Sequence, residues 1–217
     1  SGKKWIEKQI NKNSIEKIKQ DYNFSEIISR LIISRNFDHN EINSIKDHFI
    51  ITNEFKKDKD FIAATLLLEK SIKNKELVCI FGDYDVDGSA STSLLAKFFD
   101  HIKHPYFFYI PDRVHDGYGP SNQVFCKLIQ KKPKLIIMVD CGSTANQSIE
   151  FLNSKKIKSI IIDHHEINKP YPKTNVLINP KKNINNFLKD YYCATTLTYF
   201  FLEMIIKKIK SSFNLSN

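Results

Sequence analysis

The sequence predicts an α/β protein with a doubly wound, mainly parallel sheet that is flanked by helices and preceded by a helical lead-in. From about residue 76 onward, short apolar runs alternate with amphipathic segments, a pattern typical of βαβ units. Glycine is scarce, with six in the chain, and those beyond the first two residues follow a predicted strand or lie in segment 111–120. Because the loops after parallel strands form the ligand crevice of such sheets, these glycines outline a candidate site.

The first 75 residues carry the periodicity of helices. Ser25 and Asp38 are placed to cap two of them, and another helix runs over residues 60–73. We expect these helices to pack against the sheet as a lead-in and not to form an independent domain. The domain proper is then predicted over residues 76–217.

After the lead-in, the apolar runs predict five strands and the amphipathic segments predict four helices. The predicted strands are Leu77–Phe81, Tyr106–Ile110, Leu135–Val139, Ser159–Ile162 and Val176–Ile178. The predicted helices are Ser89–His101, Gln123–Lys131, Thr144–Lys155 and Ala194–Ile209.

Composition limits the class of protein. The chain has 217 residues, of which 41% are hydrophobic and 26% charged, as in ordinary globular proteins, and no apolar run is long enough to span a membrane. The net charge of +9 is weak evidence for a nucleic-acid partner, because only three of the 33 basic residues are arginine, as an AT-rich genome produces. Four cysteines without a CxxC pair indicate reduced thiols and a cytoplasmic location. Ser1-Gly2 has the form of a tag scar.

The first chemical motif follows the first predicted strand. Asp83, Asp85 and Asp87 alternate between Gly82 and Gly88, and three such carboxylates repel one another unless a cation neutralises them. Oxygen ligands of this kind suit Mg²⁺ or Mn²⁺. A solvated acidic loop with an aspartate helix cap, or a calcium loop, is the alternative interpretation.

Small hydroxyl residues follow this loop and open the next predicted helix. Ser89, Ser91 and Thr92 stand where the N–H groups of a helix N-terminus can receive a phosphate. Ordinary helix caps explain these residues at least as well.

Two further strand ends carry candidate ligands. Asp140 follows the third predicted strand, where an aspartate is either a ligand or a cap for the next helix. His164 and His165 follow the fourth strand, and because adjacent side chains point in different directions, one can ligate a metal while the other faces substrate. Paired surface histidines are the alternative. Together with the first motif, these groups are predicted at one edge of the sheet.

The segment 110–120 contains Arg113, the only arginine after residue 35. A guanidinium can bind a phosphate or a carboxylate as a bidentate fork, which lysine cannot do. The glycines on either side of Tyr118, one of them Gly119, suggest a bent loop that holds an aromatic ring. A turn with one structural Arg–Asp pair is the alternative.

In combination, the motifs resemble a known superfamily. GDYDVDG, VDCG and DHH, in this order and on successive strands, look like motifs I to III of the DHH phosphoesterases. The longer stretches FGDYDVDGSASTSLL, IPDRVHDGYGPS, VDCGSTA, IIDHHE and LINPKK are similar to the RecJ family of single-strand-specific DNA exonucleases. The resemblance covers most of residues 5–202.

This resemblance implies a metal-dependent phosphodiesterase that degrades single-stranded DNA from 5′ to 3′ in repair and recombination, using one or two Mn²⁺ or Mg²⁺ ions. A helicase and a single-strand-binding protein are the implied protein partners. The implied metal ligands are Asp83, Asp85, Asp87, Asp140 and His164. The implied catalytic residues are Asp140 and His165, and the implied DNA-binding residues are Arg113, Tyr118, Gly119, Ser89, Ser91 and Thr92.

The sequence departs from the family pattern in three places. Phe81 stands where related members often have a histidine, so the first metal is expected to rely on Asp83. The segment 193–196 replaces one that is usually glycine-rich. The chain also stops before the family's motif IV and second domain, so we expect an N-terminal fragment with little or no activity. The rival interpretations are another DHH phosphoesterase acting on oligonucleotides or nucleotides, and a non-catalytic DNA-binding scaffold.

Overall fold

The computed structural model of the chain describes residues 9–46, 52–117, 119–182 and 192–213. It consists of two compact units, Ser1–Thr52 and Asn53–Asn217. The first unit contains α1 (Lys12–Tyr22), α2 (Glu26–Ser34) and α3 (His39–Lys46). Within the described ranges, no helix combines the length and the apolar character that a membrane crossing requires.

Side-chain caps fix where two helices of the first unit begin. The Ser25 hydroxyl accepts a hydrogen bond from the Ile28 N–H at 3.4 Å. Asp38 accepts one from the Glu41 N–H, and the Glu41 carboxylate accepts one from the Asp38 N–H. These are the caps that the sequence predicts, because their oxygens satisfy N–H groups that have no partner inside the helix.

The second unit begins before the predicted boundary. α4 (Lys59–Lys73) belongs to it, and the side chains of Phe61 and Leu68 are buried in the same core as the strands. The lead-in is predicted to end at residue 75, whereas the structure divides the chain after residue 52. The physical reason is the apolar face of α4, which is buried together with the sheet.

The second unit is built on a five-stranded sheet in the order β2-β1-β3-β4-β5, and every neighbouring pair of strands is parallel. This confirms the predicted fold class. The strands are β1 (Val78–Phe81), β2 (Tyr106–Tyr109), β3 (Leu135–Val139), β4 (Lys158–Ile162) and β5 (Val176–Ile178). The helices around them are α4, α5 (Val86–His101), α6 (Asn122–Leu128), α7 (Asn146–Ser154) and α8 (Ala194–Phe213).

Helices cover both faces of the sheet, and successive side chains along each strand point alternately to one face and to the other. Val78 and Ile80 of β1 pack in a core with α4, α5 and α8, while Cys79 and Phe81 pack in a second core with α6 and α7. All five residues of β3 are buried. A central strand that is apolar on both sides is expected where helices cover both faces of a parallel sheet.

The strand order determines where a ligand can bind. β1 lies between β2 and β3, so the order reverses at β1, and ligands of open α/β sheets bind beyond the carboxyl ends of the strands at such a point. Asp83 follows the end of β1 and Asp140 follows the end of β3. The fold therefore brings the first two acidic motifs to the edge where a binding site is expected.

Candidate metal centre

Asp140, the first residue after β3, is buried with 1% of its surface exposed. Its backbone has a φ of 60°, a left-handed conformation that aspartate adopts more readily than most residues other than glycine. Within the described part of the chain, neither of its carboxylate oxygens has a hydrogen-bond partner. A buried carboxylate without donors is unfavourable, so the side chain has the properties of a cation ligand.

The surroundings of Asp140 disfavour its negative charge. Burial, followed by the neighbouring carboxylates of Asp85 and Asp87, raises the pKa of Asp140 to about 8. Burial and the neighbouring carboxylates each destabilise the ionised form, whereas the nearby His165 favours it and has a smaller effect. A divalent cation bound among these oxygens would favour the ionised form and so oppose the shift.

Three carboxylates form what we call the acid cluster. Oxygens of Asp83, Asp85 and Asp140 lie within 4.8 Å of one another. Asp83 is buried and accepts a hydrogen bond from the Tyr84 N–H at 2.7 Å, and Asp85 caps α5 by accepting one from the Gly88 N–H at 2.9 Å. Oxygen ligands at this spacing fit Mn²⁺ or Mg²⁺.

Gly88 allows α5 to begin directly against the loop that carries the acid cluster. A Cβ atom at this position would lie 2.6 Å from the backbone oxygen of Asp83, too close for any side chain. The glycine is therefore required by a close approach of two backbone segments. It keeps the loop after β1 folded back on the first turn of the helix.

The loop after β4 supplies the second side of the site. His164 Nε2 lies 3.3 Å from Asp140 Oδ1 and 3.4 Å from Asp87 Oδ2, and His165 Nδ1 lies 4.0 Å from the same Asp140 oxygen. The convergence of an imidazole nitrogen with carboxylate oxygens suits a borderline metal such as Mn²⁺. Asp140 is shared between this group and the acid cluster.

Asp87 connects the first turn of α5 to the N-terminus of α8. Its two oxygens accept hydrogen bonds from the N–H groups of Ala194 and Thr195, each at 2.7 Å, and from the Thr195 hydroxyl at 2.5 Å. Burial on its own would raise the pKa of Asp87, but these donors together lower it. The carboxylate is thus held in its ionised form beside His164 while it also anchors α8.

Asp163 was not among the predicted site residues, although it belongs to the DHH motif. It is 1% exposed, and its carboxylate accepts hydrogen bonds from the N–H groups of Ser143, His164 and His165, at 2.9, 2.7 and 3.2 Å. Although burial opposes ionisation, its hydrogen bonds with His165 and Ser143 lower the pKa of Asp163 to about 2. The signal that could have identified it is its position directly after β4, which matches that of Asp140 after β3.

The ring of His165 is oriented by Asp163. Nδ1 lies 2.8 Å from Asp163 Oδ1, and this hydrogen bond raises the pKa of His165 to about 9, against the effect of burial. The side chain is 45% exposed. A protonated imidazole anchored through Nδ1 can donate a hydrogen bond from Nε2 to an anion.

Arg113 lies exposed in the loop after β2, with Cζ at 5.4 Å from the ring centroid of Tyr84. The nearby Asp116 is held instead by the Tyr109 hydroxyl at 2.5 Å and by Lys127 Nζ at 3.0 Å. In the part of the chain that the structure describes, Arg113 forms no ion pair, so the alternative of a structural Arg–Asp pair is not observed. Its guanidinium is available to an anion.

Two further predicted DNA-binding residues, Tyr118 and Gly119, follow Arg113 in the sequence. Tyr118 falls outside the described residues. Gly119 is buried and has a φ of 71°, and Gly117 has a φ of 79°. These left-handed conformations favour glycine.

The structure corrects the prediction for two hydroxyl residues of α5. Ser91 is 0% exposed and Thr92 is 4% exposed, and the Ser91 hydroxyl lies 3.3 Å from the Thr195 hydroxyl of α8. The reason is that α5 begins at Val86, three residues before the predicted start, so both side chains lie in the interior beyond its first turn. Ser89 is half-buried and stays a candidate.

Phe81 occupies the position where a histidine was expected from the resemblance. It is buried at the end of β1 and its ring packs against Tyr109 and Phe125, with centroid distances of 6.2 and 5.5 Å. Phe81 offers no donor atom. On this side of the site the candidate ligands therefore come from the acid cluster and Asp87.

Comparison with known proteins identifies the family. A family profile described as the DHH family, N-terminal domain, matches residues 77–216, well over half of the chain. The chain belongs to the DHH family. The acid cluster and the pair His164 and His165 all lie inside the matched residues 77–216.

The DHH chain is similar to the single-stranded-DNA-specific exonuclease RecJ of Bacillus subtilis, at 28% identity over 188 residues that cover 82% of this chain and 23% of the relative. It is also similar to RecJ of Escherichia coli, at 30% identity over 125 residues that cover 57% of this chain and 22% of the relative. The DHH chain thus spans less than a quarter of the length of these two curated relatives.

Solved structures show the same fold. RecJ from Thermus thermophilus in complex with Mn²⁺ has a TM-score of 0.67 at 18% identity, covering 92% of the DHH chain and 28% of the other. An exonuclease RecJ bound to manganese has a TM-score of 0.64 at 24% identity, covering 70% and 38%. These matches confirm a DHH-domain architecture of a parallel sheet flanked by helices.

Proposed function

We propose that this chain carries the metal-binding part of the active site of an exonuclease that hydrolyses single-stranded DNA from its 5′ end, with Mn²⁺ or Mg²⁺ as the cofactor. Membership of the DHH family supports this, as does the similarity to RecJ exonucleases whose solved structures are described as manganese-bound. Because the chain spans only part of these relatives, the proposal concerns the activity of the full-length protein.

The observation that carries the proposal is the environment of Asp140. Its buried carboxylate, without a hydrogen-bond partner among the described residues, has Asp83 and Asp85 on one side and His164 on the other. We assign one ion to the acid cluster and a second to Asp87, Asp140 and His164. Asp140 would then contribute to both.

Ions bound there would supply positive charge for the scissile phosphate and lower the pKa of a bound water, which becomes the nucleophile. The residues of the chain have separate tasks around them. The carboxylates hold the cations, and Asp163 keeps the imidazole of His165 oriented and protonated. His165 would donate a hydrogen bond from Nε2 to a phosphate oxygen or to the leaving group.

Arg113 is the proposed contact to the DNA backbone or its 5′ end. The guanidinium is exposed and stacks on the ring of Tyr84, which follows directly on Asp83 of the acid cluster. A bidentate guanidinium at this position would bind a phosphate next to the metal site. Ser89 is a secondary candidate for the same task.

We further propose a cytoplasmic role in DNA repair and recombination, with a helicase and a single-strand-binding protein as partners. These assignments rest on the resemblance to the RecJ exonucleases. In that setting the substrate is a strand exposed during repair.

A strand labelled at its 5′ end and incubated with Mn²⁺ tests the proposal. We expect the full-length natural protein to release labelled mononucleotides, and chelation by EDTA to stop the reaction. The 217-residue chain is assayed beside it to measure how much activity this part retains. DNA binding without cleavage by the full-length protein would favour the scaffold interpretation, and a preference for oligonucleotides of a few residues would favour another DHH phosphoesterase.

A further inference from the structure

Asn179, the residue directly after β5, is buried at 6% exposure. Its Nδ2 donates two hydrogen bonds, one to Ser143 Oγ at 2.7 Å and one to the backbone oxygen of His165 at 3.0 Å. Its Oδ1 accepts a hydrogen bond from the Lys181 N–H at 2.9 Å. Both amide hydrogens and the amide oxygen are therefore used.

These hydrogen bonds reach His165 by two routes. The first is the direct bond to its backbone oxygen. The second runs through Ser143, whose N–H donates to Asp163 Oδ2 at 2.9 Å, while Asp163 Oδ1 pairs with His165 Nδ1 at 2.8 Å. One route fixes the backbone of the histidine, and the other fixes the carboxylate that orients its ring.

We propose that Asn179 is a positioning residue that holds His165 beside the acid cluster. This inference rests on the proposed function, in which His165 acts on the phosphate, and it adds a residue that is itself outside the metal site. The side chain ties the end of β5 to the loops after β3 and β4. Partners around a catalytic group that fix its orientation commonly change activity about tenfold to a hundredfold when they are removed.

A second asparagine beside the same strand provides a matched control. Asn175 precedes β5 at the opposite edge of the sheet, is exposed, and uses its Oδ1 to accept a hydrogen bond from the Ser159 N–H at 2.9 Å. Aspartate keeps that oxygen. At Asn179, by contrast, aspartate removes the two amide hydrogens that donate hydrogen bonds. The two variants Asn179→Asp and Asn175→Asp therefore make the same chemical change, but only Asn179→Asp loses observed hydrogen bonds.

The loss in Asn179→Asp falls mainly on His165. The Ser143 hydroxyl can turn and donate its hydrogen to the new carboxylate, whereas the His165 carbonyl has no hydrogen to offer and would face a negative oxygen. We therefore expect kcat on a 5′-labelled single strand to fall about tenfold to a hundredfold, with KM changed by less than about twofold. Asn175→Asp is expected to keep the wild-type kcat.

Nuclear magnetic resonance of the 217-residue chain labelled with ¹⁵N-histidine gives a readout that does not require activity. In the wild type, the His165 Nδ1 proton is expected to exchange slowly with water because Asp163 accepts it. In Asn179→Asp this exchange is expected to accelerate at least about tenfold, because the hydrogen bond between His165 and Asp163 opens more often when His165 is held less firmly. If the wild-type full-length protein cleaves no DNA, the proposed function fails, and this exchange measurement still decides the role of Asn179.

Three results would overturn the inference. The first is a wild-type kcat together with unchanged Nδ1 exchange in Asn179→Asp. The second is an equal loss in Asn175→Asp. The third is a proportional loss of activity, DNA binding and folded fraction, which describes a merely structural residue. If Asn179→Asp does not fold, Asn179→Ala replaces it, since it removes the same donors without adding a charge, and the same kcat and exchange results are required of it.

Discussion

Replacing Asp140 by asparagine tests the electrostatics of the site without changing the size of the side chain. In the metal-free protein, the pKa of Asp140 is raised to about 8 from an ordinary value of 3.8. Between about pH 4 and pH 8, the folded state therefore keeps a proton on Asp140 that the unfolded state has released. Since this is a raised pKa of an acid, the stability of the metal-free protein falls as pH rises from about 4 to about 8.

The size of the pH effect on stability follows from the one proton that Asp140 binds in the folded state. One proton bound in the folded state changes the free energy of unfolding by about 1.4 kcal/mol for each pH unit. From pH 5 to pH 7, the wild type should therefore lose about 3 kcal/mol that Asp140→Asn does not lose, because the amide of the variant does not titrate. Relative to the wild type, the variant becomes more stable as pH rises.

Urea unfolding in EDTA at pH 5, 6 and 7 measures this difference. Titrating groups that do not contact Asp140 cancel in the comparison of the two proteins, and Asp100→Asn, which changes an exposed acid at the end of α5, is the matched control. Added Mn²⁺ at about 100 times its dissociation constant should stabilise the wild type by about 2.7 kcal/mol and leave Asp140→Asn unchanged. Parallel pH curves for Asp140→Asn and the wild type would contradict the raised pKa of Asp140, and equal stabilisation by Mn²⁺ would contradict its role as a metal ligand.

Two further changes test other parts of the site. Arg113→Lys is expected to weaken binding of single-stranded DNA by the full-length protein about tenfold, because the bidentate fork is lost. The control Lys173→Ala, which changes an exposed lysine, is expected to weaken it less. Equal affinities of the two variants across a salt series, measured by fluorescence anisotropy, would argue against a phosphate contact of Arg113. Gly142→Ala is expected to lower the free energy of unfolding by more than about 1 kcal/mol. The reason is that the backbone of Gly142 has a φ of 105° and that the new Cβ would lie 3.3 Å from side-chain atoms of Ile161 and Met138. An unchanged urea midpoint would contradict this prediction.

The sheet and the edge that bears the site could be predicted because both are written in local patterns. Each strand is a short, mainly apolar run, β3, β4 and β5 each have a polar residue directly after them, and the predicted bounds of β3 and β5 agree with the structure. Parallel strands place their carboxyl ends at one edge. Asp83, Asp140 and His164 could therefore be assigned to one site before any distance was known.

What could not be predicted depends on contacts between segments that are distant in the sequence. The start of α5 was placed late because the acidic run looked like a loop, whereas Asp85 caps the helix and Asp87 already lies in its first turn. Ser91 was then expected to face a ligand, although it lies against α8. Likewise, nothing local to Asn179 indicates that its amide meets a serine 36 residues earlier in the chain.

Three aspartates of this site differ in how the fold treats their charge. Asp163 and Asp87 receive N–H donors from loops and from the start of α8, and their pKa values are lowered. Asp140 has no hydrogen-bond partner within the described residues and its pKa is raised. The fold directs N–H groups to the buried Asp163 and the half-buried Asp87, whereas among the described residues it makes no hydrogen bond to the buried Asp140, which is left for a ligand of positive charge. The first two position the histidines and α8, so that metal binding at Asp140 meets an arrangement that is already in place.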